Sequence, residues 1–308
     1  MSHSPSPCDT DGEASNPGPF EAATANITAL QTQHVAALRI PAEALGLQEL
    51  RLTMAAQALW AIELEKWGWH VVFGAPMPED GSAMKAKPGG VSILSRYPIQ
   101  PVPAVDELSD WLWNSTRFVH AAMPFSGGKH VLHLIYVYGF TNAATDAGQK
   151  RLNEEFLRDV FLYVSALGQV AVLILGDFNT TREASASLDA ALSSGQYWDA
   201  AEVIGHVRDE EPQNTCFVRD TSTGSRIDML LCNTQAVTML QDARVEQDAG
   251  LPTHKPVIAS FDLDMGPQKG LRYRMPCKLP TDSQDPDPDA DFYQAEELAQ
   301  AMCEASSE

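Results

Sequence analysis

A carboxylate and an amide lie two residues apart at the end of a long apolar run. Residues 170–175 read Val-Ala-Val-Leu-Ile-Leu, and Gly176, Asp177, Phe178 and Asn179 follow. An uninterrupted branched, apolar run predicts a strand buried on both faces. Because side chains alternate along a strand, Asp177 and Asn179 would share one side while Phe178 points into the core. A carboxylate can take a hard cation or a proton and an amide can donate to an oxyanion, which suits metal and phosphate chemistry.

Taken alone, a Gly-Asp pair after a strand is more often an ordinary turn. The chemical interpretation therefore depends on whether other candidate residues occur elsewhere in the chain. Five further stretches carry a polar or aromatic side chain in or near an expected strand: Asn26, Glu49, Tyr136, Asp228 and His254. Each also has an ordinary explanation when taken alone. Glu49 could be a surface carboxylate, Tyr136 a core aromatic residue and His254 a loop histidine.

The elements that must position these residues mix strands, hairpins and helices. Apolar patterning and turn residues predict strands over 24–30, 44–53, 69–73, 89–95, 117–123, 130–138, 170–175, 215–218, 226–232, 243–247 and 257–263, with helices over 31–39, 54–67, 147–167 and 183–192. Hairpins combined with helices indicate an α+β sandwich instead of a purely parallel sheet. The candidate residues fall at strand ends, where sites are usually built.

Composition divides the chain into three parts. Residues 1–22 are rich in Ser, Pro, Gly and acids, which predicts disorder. Residues 23–263 carry all the candidate site residues and form the expected domain. Residues 264–308 form an acidic, Pro/Asp-rich tail with one possible helix over 293–303, interpreted as a linker or the start of a further region. The 308 residues, 44% of them hydrophobic, suffice for one large domain or two small ones.

Charge and cysteine content restrict the partners and the compartment. The net charge of −20 argues against tight, metal-free binding to nucleic acid, which Lys and Arg drive, but permits phosphates bound through a cation. The cysteines are odd in number and scattered without zinc-ligand spacing: Cys8, Cys216, Cys232, Cys277 and Cys303. Reduced thiols are therefore expected. With no apolar run of membrane-span length and no signal-peptide core, the expected location is intracellular, nuclear or cytoplasmic.

The order and local context of the six stretches resemble the endonuclease/exonuclease/phosphatase family, which includes exonuclease III, the apurinic endonucleases and DNase I. The resemblance covers about residues 24–263, and its best pair of motifs is Gly-Asp-Phe-Asn at 176–179 and Arg-Ile-Asp at 226–228. The pattern is closest to the non-LTR-retrotransposon-type endonuclease domains of dinoflagellates. It rests there on Asn-Ile-Thr-x-Leu at 26–30, Leu-Gln-Glu-x-Arg-Leu-Thr at 47–53, Tyr-Gly-Phe at 138–140 and Thr-His-x-Pro-Val at 253–257.

This resemblance implies a four-layer α/β/β/α sandwich of two mixed β-sheets flanked by helices, with a divalent metal as cofactor, Mg²⁺ or Mn²⁺. It makes Glu49 the main metal ligand, assisted by Asn26 and Asp177. Asn26 and Asn179 would also hold phosphate oxygens and the waters of the metal. The chemistry agrees, because phosphodiester cleavage concentrates negative charge that a metal and fixed donors stabilise.

The resemblance also assigns the acid–base groups. Asp177 would orient or deprotonate the attacking water, and His254 would donate to the developing oxyanion. Asp228 would orient the histidine ring and favour its charged form. Tyr136 would donate to the phosphate or the leaving group. Tyr138 faces the same way two residues later and is the alternative, with a predicted role in substrate binding.

Two departures from the family pattern put activity in some doubt. Thr253 stands where relatives carry Asp before the terminal histidine, so His254 is expected to rely on Asp228 alone. Tyr138-Gly139 stands where many nucleases have Pro-Asn. Arg226, in the Arg-Ile-Asp motif, is expected to be a structural ion-pair partner of an acid.

The leading hypothesis is a Mg²⁺-dependent phosphodiesterase that acts on DNA, a retroelement-derived endonuclease working as a monomer. A small-molecule or lipid phosphatase of the same fold is the second, and the acidic composition suits it better. The third is a decayed domain that binds a partner without catalysis.

Overall fold

The computed structural model describes residues 19–78, 89–217 and 223–265. The predictions for residues 1–18 and 266–308, including the helix over 293–303, lie outside the described residues. Within them, no helix combines the length and the apolarity needed to cross a membrane.

The described residues form fourteen strands and seven α-helices. In sequence these are β1 (Phe20–Asn26), α1 (Leu30–Ala37), β2 (Ala44–Gln48), α2 (Met54–Lys66), β3 (His70–Phe73), β4 (Val91–Ser95), β5 (Gln100–Pro101), α3 (Glu107–Asn114), β6 (Phe118–Phe125), β7 (His130–Tyr138), α4 (Ala147–Ala166), β8 (Ala171–Asp177), α5 (Ala186–Ser193), β9 (Tyr197–Asp199), α6 (Ala200–Arg208), β10 (Cys216–Phe217), β11 (Gly224–Ser225), β12 (Asp228–Asn233), α7 (Thr234–Val237), β13 (Leu240–Val245) and β14 (Val257–Phe261). Short 3-10 turns occupy Arg182–Ala184 and Leu263–Met265.

Two six-stranded sheets form the centre of the molecule. Their strand orders are β13-β14-β1-β2-β4-β3 and β5-β6-β7-β8-β12-β9, and β10 and β11 make a separate two-stranded antiparallel sheet. Each large sheet is mixed, because β1 pairs with β2 and β7 with β8 in parallel while the other named neighbours are antiparallel.

The core has three apolar layers, which define four layers of secondary structure. The inner layer lies between the sheets and includes Val91, Leu134 and Leu173. A second layer packs the outer face of the β7–β8 sheet against α3, α4 and α5. A third packs the β1–β2 sheet against α1 and α2. Strand residues alternate between an inner and an outer layer, as the period of two requires. The predicted α/β/β/α sandwich of two mixed sheets is confirmed.

Capping side chains and backbone angles explain several element boundaries. Thr53 caps α2, since its hydroxyl accepts a hydrogen bond from the Ala56 amide at 3.3 Å. The strand predicted over 44–53 ends instead at Gln48, because Glu49 and Arg51 take positive φ angles of 62° and 56°. The helices α3 and α6 were not predicted; each is short and begins after a capping Asp, Asp106 or Asp199.

The strands that carry the candidate residues end at one edge of the sandwich. β1 and β2 run parallel in one sheet, and β7 and β8 run parallel in the other. β12 runs antiparallel to β8, so its first residue, Asp228, lies opposite the last residue of β8, Asp177. The loop before β14 brings His254 to the same edge.

Candidate active site

Asp177 occupies the centre of this edge. It ends β8 and is paired across the sheet with Tyr138 on one side and Asp228 on the other. Its side chain is buried and continues the inward face of Leu173 and Leu175. Phe178 points the opposite way, into the layer beneath α4 and α5. The alternation predicted for Asp177 and Phe178 is therefore correct.

Two hydrogen bonds orient the Asp177 carboxylate. The Asn26 side-chain amide donates to one carboxylate oxygen at 2.9 Å, and the Asn179 backbone N–H donates to the other at 2.9 Å. Burial raises the pKa of Asp177 and the charge of Asp228 raises it further, to about 7, although His254 and the two hydrogen bonds oppose the shift. This carboxyl group can consequently exchange a proton near neutral pH.

Asp228 and His254 form a tight pair next to it. The Nδ1 atom of His254 lies 2.9 and 3.1 Å from the two oxygens of Asp228, and 4.0 Å from Oδ2 of Asp177. Burial alone would lower the pKa of His254, but the charge and hydrogen bond of Asp228 outweigh it and raise this pKa to about 12. The expectation that His254 depends on Asp228 alone is wrong, because Asp177 also faces the ring.

The position of Asp228 is set by Thr215. The Thr215 hydroxyl oxygen accepts the backbone N–H groups of Ile227 and Asp228 at 3.2 and 3.0 Å. Thr215 is buried, and so is Asp228. The orientation of the histidine therefore depends on a chain of contacts from β12 through Thr215 into the loop before β10.

Asp177, Asp228 and His254 form what we call the acid–histidine cluster. They are the group of potential metal ligands found among the described residues, with one ligand atom from each lying within 4.8 Å of the others. The carboxylate oxygens of Asp177 are hard donors of the kind that Mg²⁺ and Mn²⁺ prefer. Burial beside a second carboxylate raises the pKa of Asp177, and a nearby cation would relieve that cost. The residues present therefore fit a hard divalent ion.

Glu49 lies at the same edge but outside the acid–histidine cluster. It follows β2 directly and forms an ion pair with Arg51. Burial raises the pKa of Tyr138, and the charges of Glu49 and Asp177 add to that shift, so both carboxylates lie within electrostatic reach of the Tyr138 hydroxyl. To serve as a metal ligand Glu49 would exchange the Arg51 guanidinium for the ion, and its role as main ligand stays a prediction.

Asn26 and Asn179 hold the strand ends of the site together through hydrogen bonds. The side-chain oxygen Oδ1 of Asn26 accepts the Thr28 N–H at 3.1 Å, while its side-chain nitrogen donates to Asp177. The Asn179 side-chain amide donates to the Gly139 carbonyl at 3.0 Å. Both amide nitrogens thus already have protein acceptors. Here the asparagines position Asp177 and join the strand ends, and their contact with phosphate stays a prediction.

The structure places Tyr136, which was predicted to belong to the site, away from the acid–histidine cluster. Tyr136 lies two residues inside β7, fully buried between the sheets, and its hydroxyl donates to the Ala23 carbonyl at 3.1 Å. Its ring covers Gly46, where any larger residue would overlap it. Burial raises the pKa of its hydroxyl far above the ordinary value. The alternative, Tyr138, lies at the edge opposite Asp177 but is also buried.

Two residues near the site were not singled out from the sequence. Arg117 is buried beneath the strand ends, donates to the carbonyls of Tyr138 and Gly139 at 3.2 and 2.7 Å, and lies against the rings of Tyr138 and Phe140. The sequence signal that could have indicated Arg117 is its position as a single arginine directly before the apolar strand β6. Cys216 lies with its sulfur 3.8 Å from Nε2 of His254, and no local pattern indicates this contact.

The remaining expectations for polar residues concern structure. Arg226 forms ion pairs with Asp199 and, at 3.7 Å, with Glu202, so its predicted structural role is confirmed. Thr253 lies next to His254, and its carbonyl accepts the Phe217 N–H at 3.0 Å. It supplies no charge to the cluster.

Comparison with solved structures supports the fold. A variant of the 3′ phosphatase NExo from Neisseria bound to product DNA hairpin has a TM-score of 0.61 at 23% identity, covering 79% of this chain and 99% of that chain. An AP endonuclease from Archaeoglobus fulgidus has a TM-score of 0.61 at 17% identity, with the same coverage. The endonuclease domain of TRAS1, a telomere-specific non-LTR retrotransposon, has a TM-score of 0.54 at 15% identity, covering 80% and 99%.

Comparison of the sequence with known proteins identifies the family. No curated protein sequence matches the chain significantly. The family model described as Endonuclease/Exonuclease/phosphatase family matches residues 14–247, which is most of the chain. That span includes the Gly-Asp-Phe-Asn and Arg-Ile-Asp motifs, whose aspartates the fold brings together. The chain therefore belongs to the endonuclease/exonuclease/phosphatase family.

Proposed function

We propose that this protein is a divalent-metal-dependent phosphodiester hydrolase that cleaves DNA internally. The observation that carries the proposal is the acid–histidine cluster. It places a buried carboxylate that exchanges a proton near neutral pH next to a histidine held in its charged form. A base and a cationic donor at one strand edge are what phosphodiester hydrolysis requires.

Asp177 is the proposed general base. Its two hydrogen bonds leave the carboxylate fixed, and burial beside Asp228 raises its pKa, which strengthens it as a proton acceptor. The attacking water would lie against the carboxylate and lose its proton to it. The hydrogen bonds from Asn26 and Asn179 hold the carboxylate in the orientation that this step needs.

His254 is the proposed oxyanion donor. Asp228 engages Nδ1, which leaves Nε2 as the ring nitrogen that would donate to a phosphate. Because its pKa is raised, the imidazolium remains charged at neutral pH and can stabilise negative charge developing on the phosphate oxygens.

Asp177, with Glu49 and Asn26, is the proposed holder of a divalent ion, Mg²⁺ or Mn²⁺. When bound, such an ion supplies Lewis-acid stabilisation of the pentavalent transition state. The protein contributes two features to this site. Asn26 orients the Asp177 carboxylate through a hydrogen bond, and Glu49 lies directly after the end of β2.

We favour DNA as the substrate because structurally similar proteins are described as acting on or binding DNA. The Neisseria relative is described as bound to a DNA hairpin, and the TRAS1 domain as an endonuclease of a retrotransposon. The similarity to the TRAS1 domain also motivates the proposed origin from a retroelement. The resemblance to the dinoflagellate endonuclease domains stays a prediction. We further propose that the protein acts as a monomer.

The acidic composition favours a second candidate, a phosphatase for small or lipid phosphates. A net charge of −20 opposes the approach of a DNA duplex, whereas a single phosphate group bound through a cation meets less repulsion. A third candidate is a folded domain that binds a partner without turnover.

Nicking of supercoiled plasmid separates these candidates. The full chain with Mg²⁺ should convert supercoiled to open-circular DNA, and Asp177→Asn should abolish most of that activity. Tyr136→Phe is the matched control, because Tyr136 is buried away from the edge and its variant should nick at the parent rate. Phosphate release from inositol phosphates without nicking would support the second candidate. A folded, metal-binding protein that turns over neither substrate would support the third.

A further inference from the structure

Cys216 and His254 are held opposite each other by the backbone. They form an isolated antiparallel bridge, flanked by hydrogen bonds from the Phe217 N–H to the Thr253 carbonyl at 3.0 Å and from the Lys255 N–H to the Thr215 carbonyl at 2.7 Å. Directly opposed residues of two strands project their side chains on the same face. The sulfur of Cys216 accordingly lies 3.8 Å from Nε2 of His254.

The histidine is oriented as metal-binding histidines are. Its Nδ1 atom is engaged by Asp228 at 2.9 Å, which turns Nε2 toward the thiol. In protein metal sites, a ligating imidazole usually donates its second N–H to a carboxylate in this way, which fixes the tautomer and the ring. Asp228 is buried and is itself held by Thr215, so this orientation is rigid.

The separation of the two atoms fits one bound ion. Zinc binds a thiolate sulfur at about 2.3 Å and an imidazole nitrogen at about 2.0–2.1 Å, so a tetrahedral angle places the two ligand atoms about 3.6 Å apart. The observed 3.8 Å requires little movement. A thiolate and an imidazole suit zinc-like ions, whereas Mg²⁺ prefers oxygen.

We propose that Cys216 and His254 form a binding site for a soft divalent cation of the zinc type, and that its occupation inhibits the enzyme. Binding forms a sulfur–metal and a nitrogen–metal bond and releases the thiol proton and the Nε2 proton to solvent. Water completes the coordination sphere. The inhibition rests on the proposed function, because Nε2 is the atom assigned there to the phosphate; the binding does not.

Cadmium is the direct probe of binding, because a cadmium–thiolate bond has its own ultraviolet charge-transfer absorption. The full, reduced, metal-free chain should develop this band on titration with Cd²⁺. Cys216→Ser should lose the part of the band that belongs to this site, and Cys216→Ala provides the same test if the serine variant folds poorly. Cys303→Ser, outside the described residues, is the matched control for the remaining thiols and should retain that part of the band.

Zinc inhibition of nicking, measured at saturating Mg²⁺ and normalised to the zinc-free rate of each variant, tests the consequence. Outer-sphere partners of a metal ligand usually contribute about 10–100-fold to affinity, so loss of the Cys216 ligand should raise the half-inhibiting zinc concentration at least about tenfold. Cys303→Ser should match the parent. Equal cadmium bands and equal zinc sensitivity in Cys216→Ser and the parent would overturn the proposal. Absence of nicking in all variants with a Cys216-dependent cadmium band would instead reject the proposed function and leave the binding site supported.

Discussion

Replacing Asp228 with asparagine removes one charge from the acid–histidine cluster while keeping nearly the same shape. The hydrogen bond from His254 to Asp228 spans 2.9 Å and involves two ionised groups. A hydrogen bond to a charged group contributes about 1.5–3 kcal/mol, which corresponds to about one to two pKa units. We therefore expect the pKa of His254 to fall by about that amount in Asp228→Asn.

The same change should affect Asp177 and catalysis. The charge of Asp228 raises the pKa of Asp177, so this pKa should also fall in the variant. His254 remains charged at pH 7.5 in both proteins, so the lost contact acts on ring orientation and oxyanion stabilisation. If the transition state loses the same 1.5–3 kcal/mol, nicking slows by about 10–150-fold.

Stability should change with a defined sign. A histidine whose folded pKa is raised stabilises the fold fully below its unfolded pKa of about 6.5, and this contribution declines as pH rises toward the folded value. Because the folded pKa of His254 stays above 9 in both proteins, this contribution declines equally in the parent and in Asp228→Asn between pH 6 and pH 9, and it leaves the difference between them unchanged. Repulsion between the charges of Asp177 and Asp228 above neutral pH is absent from the variant, so the parent's advantage in free energy of unfolding should be larger at pH 6 than at pH 9.

Three measurements decide the outcome: NMR titration of the His254 ring, nicking rates from pH 6.5 to 9, and denaturant unfolding at pH 6 and 9. Asp199→Asn is the matched control, since it also removes a buried carboxylate, one that pairs with Arg226 instead of His254. Unchanged His254 titration in Asp228→Asn, or an equal shift in the control, would refute the reasoning.

Other residues of the site and its surroundings give further expectations. Asp177→Asn removes a carboxyl group whose pKa is raised to about 7, so its thermal stability relative to the parent should improve from pH 4 to pH 8; a constant difference in chelator would contradict this. Tyr136→Phe loses one hydrogen bond to Ala23 and should cost about 1 kcal/mol without slowing nicking, whereas Tyr138→Phe should slow it; the reverse order of rates would restore Tyr136 to the site. Nicking should stop in excess chelator, and Glu49→Gln should raise the Mg²⁺ concentration needed for half-maximal rate; a parent-like Mg²⁺ requirement would remove Glu49 from the metal site.

Much of the fold follows from local sequence. The apolar run before Gly176 specifies a buried strand whatever surrounds it, and Thr53 specifies the start of a helix through its side-chain cap. Asp177 and Phe178 take opposite faces because alternation is a property of the extended backbone. These features depend on neighbours in sequence, so the sequence alone predicts them.

Local sequence could not place residues along the depth of the sandwich. Tyr136 and Tyr138 share a face and differ by two residues, and only the packing of the two sheets buries Tyr136 against Gly46 while leaving Tyr138 at the edge. The positive φ of Glu49, which ends β2 early, likewise depends on contacts made across the sheet.

The sequence by itself determined the family, the strand that carries Asp177 and the residue types available for chemistry, because these are encoded in short, contiguous motifs. Only the tertiary structure decided which groups interact. His254 lies 26 residues from Asp228 and 38 from Cys216, yet contacts both. Those contacts set the charge of the histidine and create the thiol–imidazole pair that spacing along the chain did not reveal. Electrostatic shifts and metal geometry depend on distances of a few ångströms in space, which sequence separation does not specify.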